Sequence, residues 1–152
     1  MYKQVIRIFK AFNDNQVKYL VIGGFAVNLY GFKRNTGDID LYIEDTPSNR
    51  KNIRKALAEA EIGDFEMLET IPLLPRLTDF TLKFGLKLDI MSIVKGLENI
   101  NFEELLNKST QIEMQGVVIP FIDYNNLILS KKAANRLKDQ LDIEELEKLA
   151  NN

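Results

Sequence analysis

An apolar run, Val17–Ile22, stops at Gly23-Gly24, and the next strand-like segment, Asp38–Glu44, carries two carboxylates on one face. This order constrains the fold more than any other feature of the chain. Val17–Ile22 is rich in β-branched and aromatic residues and reads as a buried strand. The two glycines permit a tight turn and close backbone approach, and Phe25–Tyr30 then reads as a short helix. The basic stretch Gly31–Gly37, with Lys33, Arg34 and Thr36, reads as a loop. In Asp38–Glu44 the residues alternate. Ile39, Leu41 and Ile43 share one face; Asp38, Asp40, Tyr42 and Glu44 share the other.

The remaining pattern is mixed. Val5, Ile6, Phe9 and Phe12 recur at helical spacing, which predicts a first helix over residues 3–13. Asp45-Thr46-Pro47 is a helix start, and that helix is expected to reach about Glu61. Ile62–Thr70 reads as a weak strand, and Pro72 and Pro75 make Ile71–Arg76 a loop. Phe80–Phe84 and Leu86–Val94 form a hairpin around Gly85, Glu98–Lys108 a helix, and Gln111–Met114 with Val117–Ile122 a second hairpin. Tyr124–Ala150 is helical, with a break near Arg136–Asp139. The expectation is an α+β (α/β) fold: a small mixed sheet flanked by helices, with a helical C-terminal segment. At 152 residues one domain is expected, with a core over residues 1–122 and C-terminal helices over 123–152 packing on it.

Composition narrows the chemistry. The chain has no cysteine and no histidine, so it excludes disulfides, Cys/His zinc sites, thiol nucleophiles and His-based triads within one chain. A general base must be a carboxylate, lysine, tyrosine or metal-bound hydroxide. Metal ligation must use oxygen, which favours magnesium or manganese. A net charge of −2 gives no global basic field, so any nucleic-acid surface must be local. The longest apolar run, Tyr19–Val27, is far short of the roughly 20 residues that span a bilayer. Met1–Asn15 is amphipathic rather than signal-like. A cytoplasmic protein with no membrane partner is the expectation.

Asp38 and Asp40 repel unless a cation sits between them. Asp89, in Leu86-Lys87-Leu88-Asp89-Ile90, lies on the face opposite its apolar neighbours, and in one sheet it would point into the same cleft. Three such carboxylates suffice for two magnesium ions roughly 3.5–4 Å apart, the clamp used for in-line phosphoryl displacement. Gly23-Gly24 ahead of a helix offers backbone N–H groups to a phosphate. Each motif alone also fits a plainer reading. Gly-Gly is commonly only a turn, an Asp-x-Asp pair can mark an exposed strand face, and Asp89 can be a solvated strand residue.

Together, Ile22-Gly23-Gly24, Asp38-Ile39-Asp40-Leu41 and Leu88-Asp89-Ile90 resemble the nucleotidyltransferase superfamily of the DNA polymerase β type. A narrower resemblance, to the AbiEii-like toxin group of small bacterial and archaeal nucleotidyltransferases, is carried by Tyr19–Val27, Arg34–Leu41, Leu127–Lys131 and Arg136–Ile143. The superfamily resemblance implies catalytic, metal-ligating Asp38, Asp40 and Asp89, with Mg2+ or Mn2+ as cofactor. It implies nucleotide binding by Gly23, Gly24, Arg34, Thr36 and Lys131. Lys131 and Arg34 also fit solvated or loop roles, and Arg136, Lys138, Asp139 and Asp142 fit a capped helix break with local ion pairs. Phe25 and Tyr30 fit base stacking or, more simply, the core. The implied function is transfer of an NMP from an NTP, such as ATP, to a hydroxyl on an RNA 3′ end such as tRNA, a protein or a small molecule. The chain would then act as the toxin of a toxin–antitoxin pair with a cognate antitoxin as partner, or in resistance or housekeeping. The alternative is a catalytically weak nucleotide-binding or antitoxin module of the same fold.

Overall fold

The computed structural model describes residues 2–70 and 78–152. Its centre is a six-stranded mixed sheet in the order β3-β4-β2-β1-β6-β5. The strands are β1 (Tyr19–Ile22), β2 (Asp38–Ile43), β3 (Thr78–Thr81), β4 (Lys87–Met91), β5 (Thr110–Met114) and β6 (Val117–Phe121). The helices are α1 (Tyr2–Asp14), α2 (Gly23–Leu29), α3 (Pro47–Glu59), α4 (Phe102–Asn107), α5 (Tyr124–Ala134) and α6 (Leu137–Ala150). The expected mixed sheet, flanking helices and helical C-terminal segment are therefore present.

Apolar alternation builds the core. Ile39, Leu41 and Ile43 of β2 and Leu88 and Ile90 of β4 are all buried. Helix α1 buries Val5, Ile6, Ile8, Phe9, Ala11 and Phe12, the one-sided stripe of an amphipathic helix. Tyr19 stacks on Phe9 at 5.9 Å and meets Phe12 edge-on at 5.5 Å. Its hydroxyl donates to Asn13 Oδ1 at 2.9 Å, so the buried phenol keeps a polar partner.

Side chains mark the helix starts. Thr46 Oγ1 accepts from the Asn49 N–H ahead of α3, whose first residue is Pro47. Asn101 caps α4 and Asp123 caps α5. Asn135, at φ 52°, ends α5 in the left-handed region.

Three local expectations change. The stretch 62–70 holds no strand; Glu66–Glu69 is a 3₁₀ turn. There Phe65 packs on Phe80 at 4.8 Å while Met67 is exposed, so the apolar residues anchor a turn rather than alternate along a strand. The helix expected from Glu98 starts only at Phe102, because Asn101 supplies the cap and residues 98–100 form a turn. The first hairpin forms, but its arms shorten to β3 and β4 around a 3₁₀ turn at Lys83–Gly85. The loop expected at Ile71–Arg76 lies outside the described residues.

Candidate active site

The sheet register brings the carboxylates together. In the parallel β2–β4 ladder Asp40 is the partner of Asp89, and Ile22 faces Asp40 from β1. Partners in register project to the same face of a sheet, and residues i and i+2 do so as well. Asp38, Asp40 and Asp89 accordingly line one cleft of about 370 Å³. Gly23, Lys95, Ser130, Lys131, Arg136 and Lys138 also line it. The cleft therefore has an acidic end on the sheet and a basic set from α5, α6 and the loop after β4.

The glycine pair has a steric task in this site. Gly23 takes φ +66°, and a Cβ there would overlap the Asp40 carboxylate, lying 2.8 Å from its Cγ. A Cβ on Gly24 would lie 2.6 Å from Thr36 Oγ1 and 3.3 Å from Arg34 Nη1. Any side chain at either place would displace the Asp40 side chain or those of Thr36 and Arg34. Helix α2 begins directly at Gly23, so β1, the glycines and the helix are continuous.

Electrostatics at the acidic end are strained. Burial, then the charges of Asp89 and Asp38, push Asp40 up to about 6, while Lys138 opposes the shift. Burial and Asp38 also raise Asp89, and a hydrogen bond shared with Asp40 offsets part of that rise. Asp89 is 8% exposed, and among the described residues its Oδ1 has no hydrogen-bond partner. Such an orphaned buried acceptor is rare and costly. Among the described residues no three acidic side chains form a ready-made metal cage.

The basic end rests on a buried ion network. Lys131 is 5% exposed, with its Nζ 3.2 Å from Asp139 Oδ1 and 2.9 Å from Asp142 Oδ2. Arg34 reaches Asp142 with two parallel bonds, Nε to Oδ1 at 2.8 Å and Nη2 to Oδ2 at 2.9 Å, the bidentate geometry that suits a guanidinium. Arg136 donates to Asp139 from its backbone N–H at 3.1 Å and from Nε at 2.7 Å. Burial alone would raise Asp139, but the Arg136 and Lys131 contacts outweigh it and hold the group below its usual range. The network ties α5 and α6 to the loop before β2.

Of the residues singled out in the sequence, Asp38, Asp40, Asp89, Gly23 and Lys131 line the cleft. Gly24, Arg34 and Thr36 do not. Thr36 Oγ1 donates to the Asp38 carbonyl at 3.1 Å and so fixes the start of β2. Arg34 and Thr36 instead line a separate, largely apolar cavity of about 540 Å³ with Phe9, Phe25, Met114 and Phe121. Tyr30 is held by its hydroxyl, which donates to the Ile122 carbonyl at 2.7 Å, and packs edge-on against Tyr124.

The sequence reading did not assign chemistry to Lys95, Arg136 or Lys138, and it passed over Asp79. Asp79 is the partner of Asp89 in the antiparallel β3–β4 ladder and is exposed. Its charge adds to the upward shift of Asp89. The alternation around Thr78-Asp79-Phe80 was the available signal.

Solved structures with this architecture include the lincosamide antibiotic adenylyltransferase LnuA bound to lincomycin, at 17% identity and a TM-score of 0.61, covering 98% of each chain. A putative nucleotidyltransferase from Thermotoga maritima matches at 21% identity and a TM-score of 0.59, covering 99% of this chain and 92% of its own. Comparison with curated protein sequences returns no match. The family described as "Nucleotidyl transferase of unknown function (DUF2204)" matches residues 1–152. With the match spanning the whole chain and the carboxylate cleft at its centre, the protein belongs to that nucleotidyl transferase family.

Proposed function

We propose that the protein moves an NMP from an NTP to a hydroxyl acceptor with the help of Mg2+ or Mn2+ held by Asp38, Asp40 and Asp89. The observation that carries this reading is the buried Asp89, whose Oδ1 has no hydrogen-bond partner among the described residues, in register with an Asp40 that burial and its acidic neighbours make harder to ionise. A carboxylate pair of that kind fits a hard divalent cation, which would offset the repulsion between the two charges. When bound, the cation would neutralise charge on the phosphates during an in-line displacement.

The protein groups then have distinct tasks. Asp38 and Asp40 orient the metal-bound nucleotide, and Asp89 accepts the proton of the attacking hydroxyl. The acceptor oxygen bonds to the α-phosphorus, the bond to the β-phosphate oxygen breaks, and pyrophosphate leaves. Gly23 and Gly24 keep the backbone close enough for the nucleotide to lie against the acid strand. Lys131 presents a cleft-facing ammonium, and Arg34 and Thr36 brace the loop behind it. No histidine is required.

For the acceptor, a small hydroxylated molecule is the first class to test, since LnuA, of like fold and length, is an antibiotic adenylyltransferase. The AbiEii-like motifs support a second reading, a cytoplasmic toxin acting on an RNA 3′ end or a protein and neutralised by an antitoxin. A weakly active nucleotide-binding module is the alternative to both. The discriminating experiment measures pyrophosphate release from each of four NTPs with small-molecule, RNA and protein acceptor pools. Release with one pool supports the reading and names the class. Nucleotide binding without release in any pool supports the binding module instead.

A further inference from the structure

Four cations line the cleft: Lys95, Lys131, Arg136 and Lys138. Two are already engaged, Lys131 by Asp139 and Asp142 and Arg136 by Asp139. Lys95 and Lys138 are exposed, and among the described residues neither forms an ion pair. Both extend from anchored backbone. Lys95 precedes Gly96, which takes φ +87° and presses on α5: a Cβ there would lie 2.9 Å from Ala133 Cβ and 3.1 Å from the Leu129 carbonyl oxygen. Lys138 lies in the first turn of α6, whose start is fixed by Asp139 accepting from the Arg136 backbone. Lys138 lines the same cleft as Asp38, Asp40 and Asp89.

We propose that Lys95 and Lys138 are the cations that grip the β- and γ-phosphates of the NTP, the part that leaves as pyrophosphate. This rests on the nucleotidyl-transfer reading above. A triphosphate with its metal remains anionic, and unpaired ammonium groups at the cleft meet that charge without first breaking a buried pair. Lys131 would have to give up Asp139 and Asp142 to do the same, and breaking one side of a buried pair is costly. Cations placed on the leaving phosphates would meet the charge that develops there as the bond to the β-phosphate breaks, and so would favour the transition state over the bound substrate.

The test titrates inorganic tripolyphosphate with Mg2+ into the full chain by calorimetry, comparing wild type with Lys95→Gln, Lys138→Gln and the double variant. Each single change is expected to weaken binding about tenfold, as for loss of one charge-assisted contact. The double variant should also show a shallower dependence on salt. Lys148→Gln, which removes an exposed cation paired with Glu144, serves as the control and should bind as wild type. Unchanged melting temperatures exclude a folding defect. If both lysine variants bind tripolyphosphate as wild type does, the assignment is wrong while nucleotidyl transfer stands. If wild type binds neither tripolyphosphate nor any of the four NTPs, both are overturned.

Discussion

Asp40 and Asp89 stand opposite one another in the parallel β2–β4 ladder, and among the described residues Asp89 Oδ1 has no hydrogen-bond partner. Two acids in that relation repel one another when no cation is present, and burial adds to the cost of ionising them. The cost of ionising them is stored in the fold, and a bound cation releases it.

That cost sets a pH signature for the metal-free protein. Asp40 is raised from 3.8 to about 6 in the folded chain, first by burial. Below about pH 4 the group is protonated in both states and stability is unaffected. Between about pH 4 and 6 the unfolded chain ionises first, so stability falls, and the loss is complete above about 6. Asp40→Asn removes the penalty. In chelator, urea denaturation should show the variant about 3 kcal/mol more stable than wild type at pH 7.5 and equal to it at pH 3.5. A variant less stable at pH 7.5 contradicts the strained pair.

Gly23→Ala should be damaging twice over. The residue sits at φ +66°, and the added methyl meets the Asp40 carboxylate. A loss of about 2 kcal/mol is expected from the backbone alone, measured by chemical denaturation. Activity should fall much further than stability, because the methyl displaces Asp40.

Asp142→Ala removes a carboxylate that is 1% exposed and holds both Arg34 and Lys131. Two cations lose a buried partner, so a cost of about 3–5 kcal/mol follows. The same measurement on Asp14→Ala, which breaks an exposed i,i+4 pair with Lys10, should show no resolvable change. Similar small effects for both would mean the buried network is not a structural tie.

Gly96→Ala tests the placement of Lys95. The methyl meets Ala133 and the Leu129 carbonyl at a positive φ. Tripolyphosphate affinity should drop as in Lys95→Gln, accompanied by a lowered melting temperature that Lys95→Gln does not show. Normal affinity would mean that the loop can shift without moving the ammonium.

Much of this architecture was legible in the chain because its signals are local. Alternation in Asp38–Ile43 and the turn at Gln115-Gly116 depend on neighbours in sequence, and they found β2 and the β5–β6 hairpin. The three carboxylates were legible because their apolar flanks fix which way each points. The basic end was not. Arg34 and Asp142 are 108 residues apart, so nothing local shows that Arg34 is taken up by an acid on α6. Lys95 and Lys138 look like ordinary surface lysines until the fold sets them on the carboxylate cleft. The two glycines suggested a phosphate cradle, and the fold shows in addition that Asp40 and Thr36 occupy the space a side chain would need.

The most direct measurement is transfer of α-labelled NMP to an acceptor, with and without Mg2+, by wild type, Asp40→Asn and Asp89→Asn. The account predicts labelled acceptor from wild type with metal only, and at least a thousandfold loss in either variant, on the order of 4 kcal/mol in the barrier. Label transferred at the wild-type rate by Asp40→Asn, or by wild type in chelator, would contradict it.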